Sequence, residues 1–276
     1  MKERQRVLVT GASSGIGRST ALRLAEAGWE VWGTSRDGER LPQADRFHPA
    51  CLDLAETGRL AEVLDRLWSE SGGFDVVVNN AGSGIFGPLE KVSEDEERAL
   101  FEVLYHGPMV LTRAALARMK AAGGGRMVQV TTVGVELPIP YMGTYTAAKA
   151  ALSAATRILR MELGRGSIRL IEVRPGDIQT GFNRSVARSE GSGTIEGKEV
   201  WERMERLMAS APDADVVGRK LTEVLGMEDP PDLVRVGSFF QTVVGPLGPR
   251  LLPERWVERA IADYYGLGTR AGDGTG

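Results

Sequence analysis

The chain has 276 residues, a formal net charge of −3, 42% hydrophobic residues and 26% charged residues. That is ordinary globular composition, long enough for one large α/β domain and without the basic surplus that nucleic-acid binding calls for. The single cysteine, Cys51, excludes an internal disulfide, and no Cys/His spacing suggests zinc, so no metal is expected.

In chain order, strands are predicted at Arg6–Thr10, Glu30–Ser35, His48–Leu52, Asp75–Asn79, Arg126–Thr132, Ile168–Val173 and Leu233–Val236. Helices are predicted between them at Ile16–Ala27, Glu56–Ser69, Ser93–Ala122, Tyr145–Leu163, Ala214–Leu225 and Pro253–Tyr265. Several strand runs are almost continuously apolar, as in parallel strands covered on both faces. The βαβ alternation predicts an α/β fold, a single Rossmann-type domain over residues 1–267 whose doubly wound parallel sheet has about seven strands with helices on both faces. The N-terminus runs directly into a strand, and no apolar run reaches the roughly 20 residues of a bilayer span, so a soluble cytoplasmic protein is expected.

After residue 180 the pattern loosens. Ser189–Gly197 is rich in Ser, Gly and Glu and reads as a loop. In Glu199–Ser210, Val200, Trp201, Met204, Leu207 and Met208 recur at helical spacing. Two readings stand: a helix packed on the core, or part of a lid at about 182–212 that closes over a site. Residues 268–276 are Gly- and Thr-rich and are expected to be a flexible tail.

The segment "LVTGASSGIGRS" joins the first strand to the first helix. Gly11, Gly15 and Gly17 allow a sharp turn and close approach of a ligand, while Ser13, Ser14 and Ile16 lead into a helix whose N-terminal N–H groups point at an anion such as a pyrophosphate. Thr10-Gly11-x3-Gly15-x-Gly17, Asn79-Asn80-Ala81-Gly82, Tyr145-x3-Lys149 and Pro175-Gly176 together resemble the short-chain dehydrogenase/reductase superfamily, in its order and at its approximate spacings across residues 6–182. The later segment, with its lid-like helix and Leu252-Pro253-Glu254-Arg255, more loosely resembles the hydroxysteroid/retinol dehydrogenase-like branch.

The resemblance implies a nicotinamide dinucleotide cofactor. At the end of the second strand, "VWGTSRDG" puts Ser35 where NAD-preferring members usually carry Asp, followed by Arg36, whose guanidinium can pair with a 2′-phosphate. NADP(H) is therefore expected in preference to NAD(H), with Asp37 as the counter-argument, since its carboxylate can turn back to the ribose. Asp53 and Leu54 are implied at the adenine, Asn80, Ala81 and Gly82 beside the adenosine ribose, and Pro175, Gly176, Ile178 and Thr180 over the nicotinamide.

Tyr145 and Lys149 are four apart, on one helix face. A free phenol, with a pKa near 10, exchanges protons poorly at neutral pH, and roughly 4 kcal/mol of differential stabilisation would bring it to about 7. The ammonium of Lys149 and the oxidised cofactor's charge are expected to supply this, making Tyr145 the general acid/base. The resemblance also implies a bond from Lys149 to the nicotinamide ribose. The family's usual Ser, 13 positions before the Tyr, is Thr132 here, which keeps the hydroxyl; Thr131 is the alternative donor. In "FEVLYHGPMV" the family's usual Asn is Leu104. Only its main-chain carbonyl is expected to act, because Pro108 lacks the N–H that would bond it, leaving it to hold a water against Lys149.

Glu136, Leu137 and Tyr141 are expected in one pocket wall and Phe182, Val186 and Met204 in another, favouring an apolar substrate. The leading expectation is an NADP(H)-dependent oxidoreductase acting on a hydrophobic ketone or aldehyde, or on the corresponding secondary alcohol. The alternatives are an NADP(H)-binding sensor or scaffold with weakened catalysis, and a 3-oxoacyl reductase. The resemblance implies a homodimer or homotetramer formed through the helices of Ser93–Ala122 and Tyr145–Leu163.

Overall fold

The structure, a computed structural model, describes residues 5–38 and 40–268. The tail expected to fray lies, from Thr269 onward, outside the described residues. Seven parallel strands make the main sheet: β1 (Arg6–Thr10), β2 (Glu30–Ser35), β3 (Phe47–Cys51), β4 (Val76–Asn79), β6 (Gly125–Val130), β7 (Ile168–Pro175) and β9 (Leu233–Val236), in the order β3-β2-β1-β4-β6-β7-β9. Two short strands outside it, β5 (Gly84–Phe86) and β8 (Val186–Arg188), pair in parallel, with Gly84 opposite Val186. Strand alternation assigns the two faces: Val7 and Val9 of β1 enter one core cluster and Leu8 the other.

The first cluster is covered by α1 (Gly15–Glu26) and α7 (Asp215–Gly226), through Ala21, Leu24, Val217 and Leu221. Arg23 pins these two helices by donating to both carboxylate oxygens of Asp215, at 2.6 and 2.7 Å. The second is covered by α2 (Leu60–Ser71) and α4 (Gly107–Ala121), through Leu64, Leu67, Leu111 and Met119, with Leu159 and Leu163 of α5 (Gly143–Leu163) at its margin. Burial of these apolar stripes on both sheet faces is what holds the three layers together.

The single helix expected over Ser93–Ala122 is interrupted. Ser93 and Glu96 form a capping box that starts α3 (Glu94–Phe101), and a π turn over Glu102–His106 then connects α3 to α4. Pro108 has no N–H for the bond back to Leu104, and the Gly107 N–H reaches the Glu102 carbonyl, five residues back. Gly107 suits this turn because a β-carbon there would lie 2.5 Å from the Leu54 carbonyl oxygen.

After β8, α6 (Ile195–Ala209) occupies the stretch read as either core helix or lid. The chain beyond β9 forms a helical arm: a π turn at Phe240–Val244, a 3-10 turn at Gly245–Leu247 and the short α8 (Gly248–Leu251), for which no element was predicted, and then α9 (Glu254–Tyr264), where the helix expected at Pro253–Tyr265 forms. No helix among the described residues is long and apolar enough to cross a membrane.

Candidate active site

Strand order reverses between β1 and β4, and the crevice beyond the carboxyl ends of such strands is where open α/β sheets hold their ligands. A cavity of about 1110 Å³ opens there, above the roughly 300–1,000 Å³ of ordinary small-molecule pockets. Gly11, Ser13, Ser14, Gly15 and Ile16 line it at the β1–α1 turn. Gly11 and Gly15 have φ of +70° and +51°, which L side chains rarely adopt. Ser14 caps α1 without a side-chain bond and no acidic residue lies in the first turn, so the helix's positive end is left to the cavity. Gly17 is a packing residue rather than a lining one: its β-carbon would lie 2.2 Å from the Gly11 carbonyl oxygen and 2.4 Å from Asn80 Nδ2.

The wall after β4 is tied to β1 by Thr10. Its hydroxyl accepts from the backbone N–H of Asn80 (2.9 Å) and of Ala81 (3.1 Å), while Asn80 Nδ2 donates to the Thr10 carbonyl at 2.9 Å. Asn80, Ala81 and Gly82 therefore line the cavity in a fixed position, with Ser35, Arg36, Asp53 and Leu54 at one end and Pro175, Gly176, Ile178 and Thr180 further along. Arg40, unnoticed in the sequence, lines the cavity beside Arg36. Asp37 is held by Ser35 (3.3 Å) and Arg40 (3.3 Å).

At the other end Tyr145 and Lys149, on one face of α5, line the cavity with Thr132. Lys149 is buried, donates to the Val130 carbonyl at 2.8 Å, and is pushed down to about 8 by loss of solvation. The Thr132 hydroxyl accepts from the Gly134 N–H at 3.0 Å and hydrogen-bonds the Tyr145 oxygen. Thr131 is committed elsewhere, donating to Glu172 at 2.8 Å. The expected lowering of the phenol is not what this structure contains: burial pushes Tyr145 up to about 12, and only the Thr132 bond works the other way. With Lys149 turned to Val130, desolvation dominates in the protein alone.

Three further expectations, Glu136, Tyr141 and Val186, are corrected by packing. Glu136 does not line the cavity; its carboxylate bonds Arg235 and lies 2.8 Å from Arg174, which in turn bonds Glu172 and Ser153. Burial opposes the Glu136 charge, but the two guanidinium groups outweigh it and hold the carboxyl below its ordinary range. Tyr141 lies outside the cavity lining, stacked on Phe86 at 5.2 Å, and Val186 is taken up by pairing with Gly84. The Leu104 side chain, for which no role was expected, is fully buried among Ile85, Leu100 and Ala148. Leu137, Phe182 and Met204 do line it.

The far wall comes from the arm, through Phe240, Val244, Leu251, Ile261, Tyr264 and Tyr265. Ile261, Tyr264 and Tyr265 belong to the predicted last helix, but periodicity could not reveal the part before it, because π, 3-10 and short α turns follow one another; the apolar density of "FFQTVVGPLGPRLL" was the available signal. Asp177 and Gln241 were also missed. Gln241 accepts from the Asp177 N–H at 3.0 Å and donates to its carboxylate.

The 3-ketodihydrosphingosine reductase of Bacteroides thetaiotaomicron is 28% identical over 271 residues, covering 95% of this chain and 98% of the relative. Among solved structures, a short-chain dehydrogenase from Streptomyces avermitilis has a TM-score of 0.81 at 29% identity, covering 97% of this chain and 99% of that one. An alcohol dehydrogenase of the archaeon Thermococcus sibiricus, complexed with 5-hydroxy-NADP, has a TM-score of 0.71 at 27% identity, covering 86% of this chain and 98% of the other. The model of the short chain dehydrogenase family matches residues 5–191, well over half of the chain. Sequence match and sheet order agree: this chain belongs to the short-chain dehydrogenase family and is one of its oxidoreductases.

Proposed function

We propose that the chain is an NADP(H)-dependent reductase of hydrophobic ketones or aldehydes, with the reverse oxidation of secondary alcohols open to it. The observation that carries this reading is the meeting of Tyr145, Thr132 and buried Lys149 at one end of a cavity whose other end is a Gly-rich, cation-lined cradle. A dinucleotide fits that cradle on three counts. The α1 N-terminus lacks its own anion, Gly11 and Gly15 bring the turn's backbone close to Ala81 and Thr180 of the cavity wall, and the Lys149 ammonium, which carries three protons, spends one on the Val130 carbonyl. Gly11, Ser13, Ser14, Gly15 and Ile16 would hold the pyrophosphate, Asp53 and Leu54 the adenine, and Ile178 and Thr180 the carboxamide. When bound, the cofactor supplies the hydride.

Arg36 and Arg40 after β2 support the preference for the 2′-phosphate, and the bonds from Asp37 to Ser35 and Arg40 weigh against its turning to the ribose. A phenol held near 12 stays protonated at neutral pH, so Tyr145 is poised to donate its proton to a carbonyl oxygen while Thr132 orients that oxygen. Acting as a base in alcohol oxidation would need added positive charge at the cofactor side. Lys149 keeps its proton below about pH 8 and steadies the developing phenolate. Its proton supply would run through water to the Leu104 carbonyl: a β-carbon at Gly82 would lie 3.2 Å from Leu104 Cδ2 and 3.9 Å from Lys149 Nζ, so the two residues flank one glycine.

The arm and α6, which contributes Met204 and Met208, would act as the lid over an apolar substrate. The outer face of α5, where Ile158 and Met161 are exposed, supports a homodimer or homotetramer. The test is oxidation of NADPH and of NADH by the full chain with a panel of apolar ketones and aldehydes. The reading expects turnover favouring NADPH by about tenfold or more; cofactor binding without turnover of any carbonyl would favour a sensor instead.

A further inference from the structure

The substrate half of the cavity contains a carboxylate that carbonyl reduction does not need. Among the described residues, the carboxylates lining the cavity are Asp53, beside β3, and Asp177, between Gly176 and Ile178 at the opposite end. Asp177 is held in place. The Gln241 side chain accepts from its backbone N–H at 3.0 Å and donates to Oδ2, and Gln241 itself lies so close over Gly176 that a β-carbon there would sit 2.4 Å from its oxygen. This clamp is neutral. No ion pair to Asp177 is present among the described residues, while the nearby glutamates Glu136 and Glu172 each have an arginine.

Two aromatic rings complete the setting. Tyr264 and Tyr265 line the same cavity, meet edge to face with centroids 5.1 Å apart, and both feel the Asp177 charge, which adds to burial in pushing their phenols up. Burial pushes the Asp177 carboxyl up as well, against the Gln241 bond, and a cation beside it would work in the opposite direction. A fixed carboxylate and the Tyr265 ring, in a cavity whose wall also includes Phe240, Val244, Leu251 and Ile261, match an organic ammonium on an aliphatic body, since ring and carboxylate attract the same charge; the Tyr264 ring already has the Arg203 guanidinium 5.8 Å from its centroid, and Arg184 lines the cavity as well.

We propose that Asp177, framed by Tyr264 and Tyr265 and held by Gln241, is a subsite for a protonated amino group on the substrate, so that the preferred substrates are amino ketones with an aliphatic chain. This rests on the reductase reading above and narrows its substrate class. An uncharged analogue would cover the half-buried carboxylate and leave it with the neutral Gln241 bond alone, which is how a polar site rejects a ligand lacking the matching group.

The experiment compares long-chain α- and β-amino ketones with their deamino counterparts and N-acetyl derivatives, following NADPH oxidation by the full chain and by Asp177→Asn. The expected kcat/KM ratio of amino to deamino ketone is about tenfold or more in the wild type and falls towards one in Asp177→Asn; N-acetylation removes the preference in the wild type. Because the quantity read is a ratio, a general loss of activity in the variant cancels. A wild-type ratio near one, or a ratio unchanged by Asp177→Asn, overturns the subsite. If no ketone is reduced, the reductase reading falls, and ligand binding decides the subsite by itself. Octylamine raising the melting temperature of wild type more than octanol does, with the difference lost in Asp177→Asn, supports the subsite; equal shifts in the wild type overturn it. If Asp177→Asn does not fold, the wild-type comparisons alone decide.

Discussion

At the β1–α1 end of the cavity the walls are largely backbone: Gly11 and Gly15 at positive φ, the open N-terminus of α1, and a strand-end loop held by Thr10. At the Tyr264 end they are side chains brought together from distant parts of the chain; Asp177 and Gln241 meet across 64 positions. The first end, on the reading proposed above, would hold one unchanging ligand, and its demands fall on local geometry, where glycines and short motifs carry them. The second end, on the reading proposed above, would sort substrates, and its demands fall on side-chain surface rather than on local backbone geometry. Tyr145, Thr132 and Lys149 sit at the seam, on the rigid ends of β6 and α5.

Removing the charge at the seam should break the comparison most severely. Lys149→Met is expected to reduce kcat/KM for ketone reduction by about 10²–10⁴-fold, the scale of a lost proton-transfer partner. The same change should stabilise the cofactor-free protein. Burial lowers the lysine from 10.5 to about 8, so between those values the unfolded chain binds the extra proton. The buried charge therefore costs stability below about pH 8, and the cost fades as pH rises towards 10.5. Denaturant melts at pH 7 should show Lys149→Met more stable by about 1–3 kcal/mol, with a smaller gain at pH 10. A destabilised variant at pH 7 would mean that the Val130 bond outweighs desolvation.

The backbone end is sharpened by Gly17→Ala. With its β-carbon 2.2 Å from the Gly11 carbonyl, the variant should lose about 1–3 kcal/mol or more, read by thermal melting, and bind dinucleotide weakly. Arg36→Ala, alone and with Arg40→Ala, should raise the KM for NADPH by about tenfold or more while leaving that for NADH within about twofold. Equal effects on both cofactors would remove the 2′-phosphate from the account. The mildest change belongs to the arm: Val244→Ala should raise the KM for a long-chain ketone severalfold, about 1 kcal/mol for lost apolar contact, without altering the KM for NADPH.

This difference in construction also decided what the sequence disclosed. The inner strands of the main sheet were legible because parallel strands buried on both faces read as nearly unbroken apolar runs, and "TGASSGIG" was legible because turn, glycine and helix start lie within a few residues. Glu136 was misjudged because its position after Thr132 suggested a pocket wall, while the partners that claim it, Arg174 and Arg235, come from β7 and β9. Tyr141 and Val186 failed similarly, spent on Phe86 and on the small β5–β8 sheet, for which three-residue strands leave no periodicity. The π turn at Glu102–His106 was half legible: Pro108 signalled the missing bond but not the widened turn that absorbs it.

The central claim is that a protonated phenol at the seam delivers the proton in carbonyl reduction. It is tested most directly by Tyr145→Phe, measured in single turnovers of the NADPH complex with a ketone that the wild type reduces. The account predicts that the variant still binds NADPH but reduces the ketone about 10²–10⁴-fold more slowly. Reduction within about threefold of the wild-type rate would contradict it.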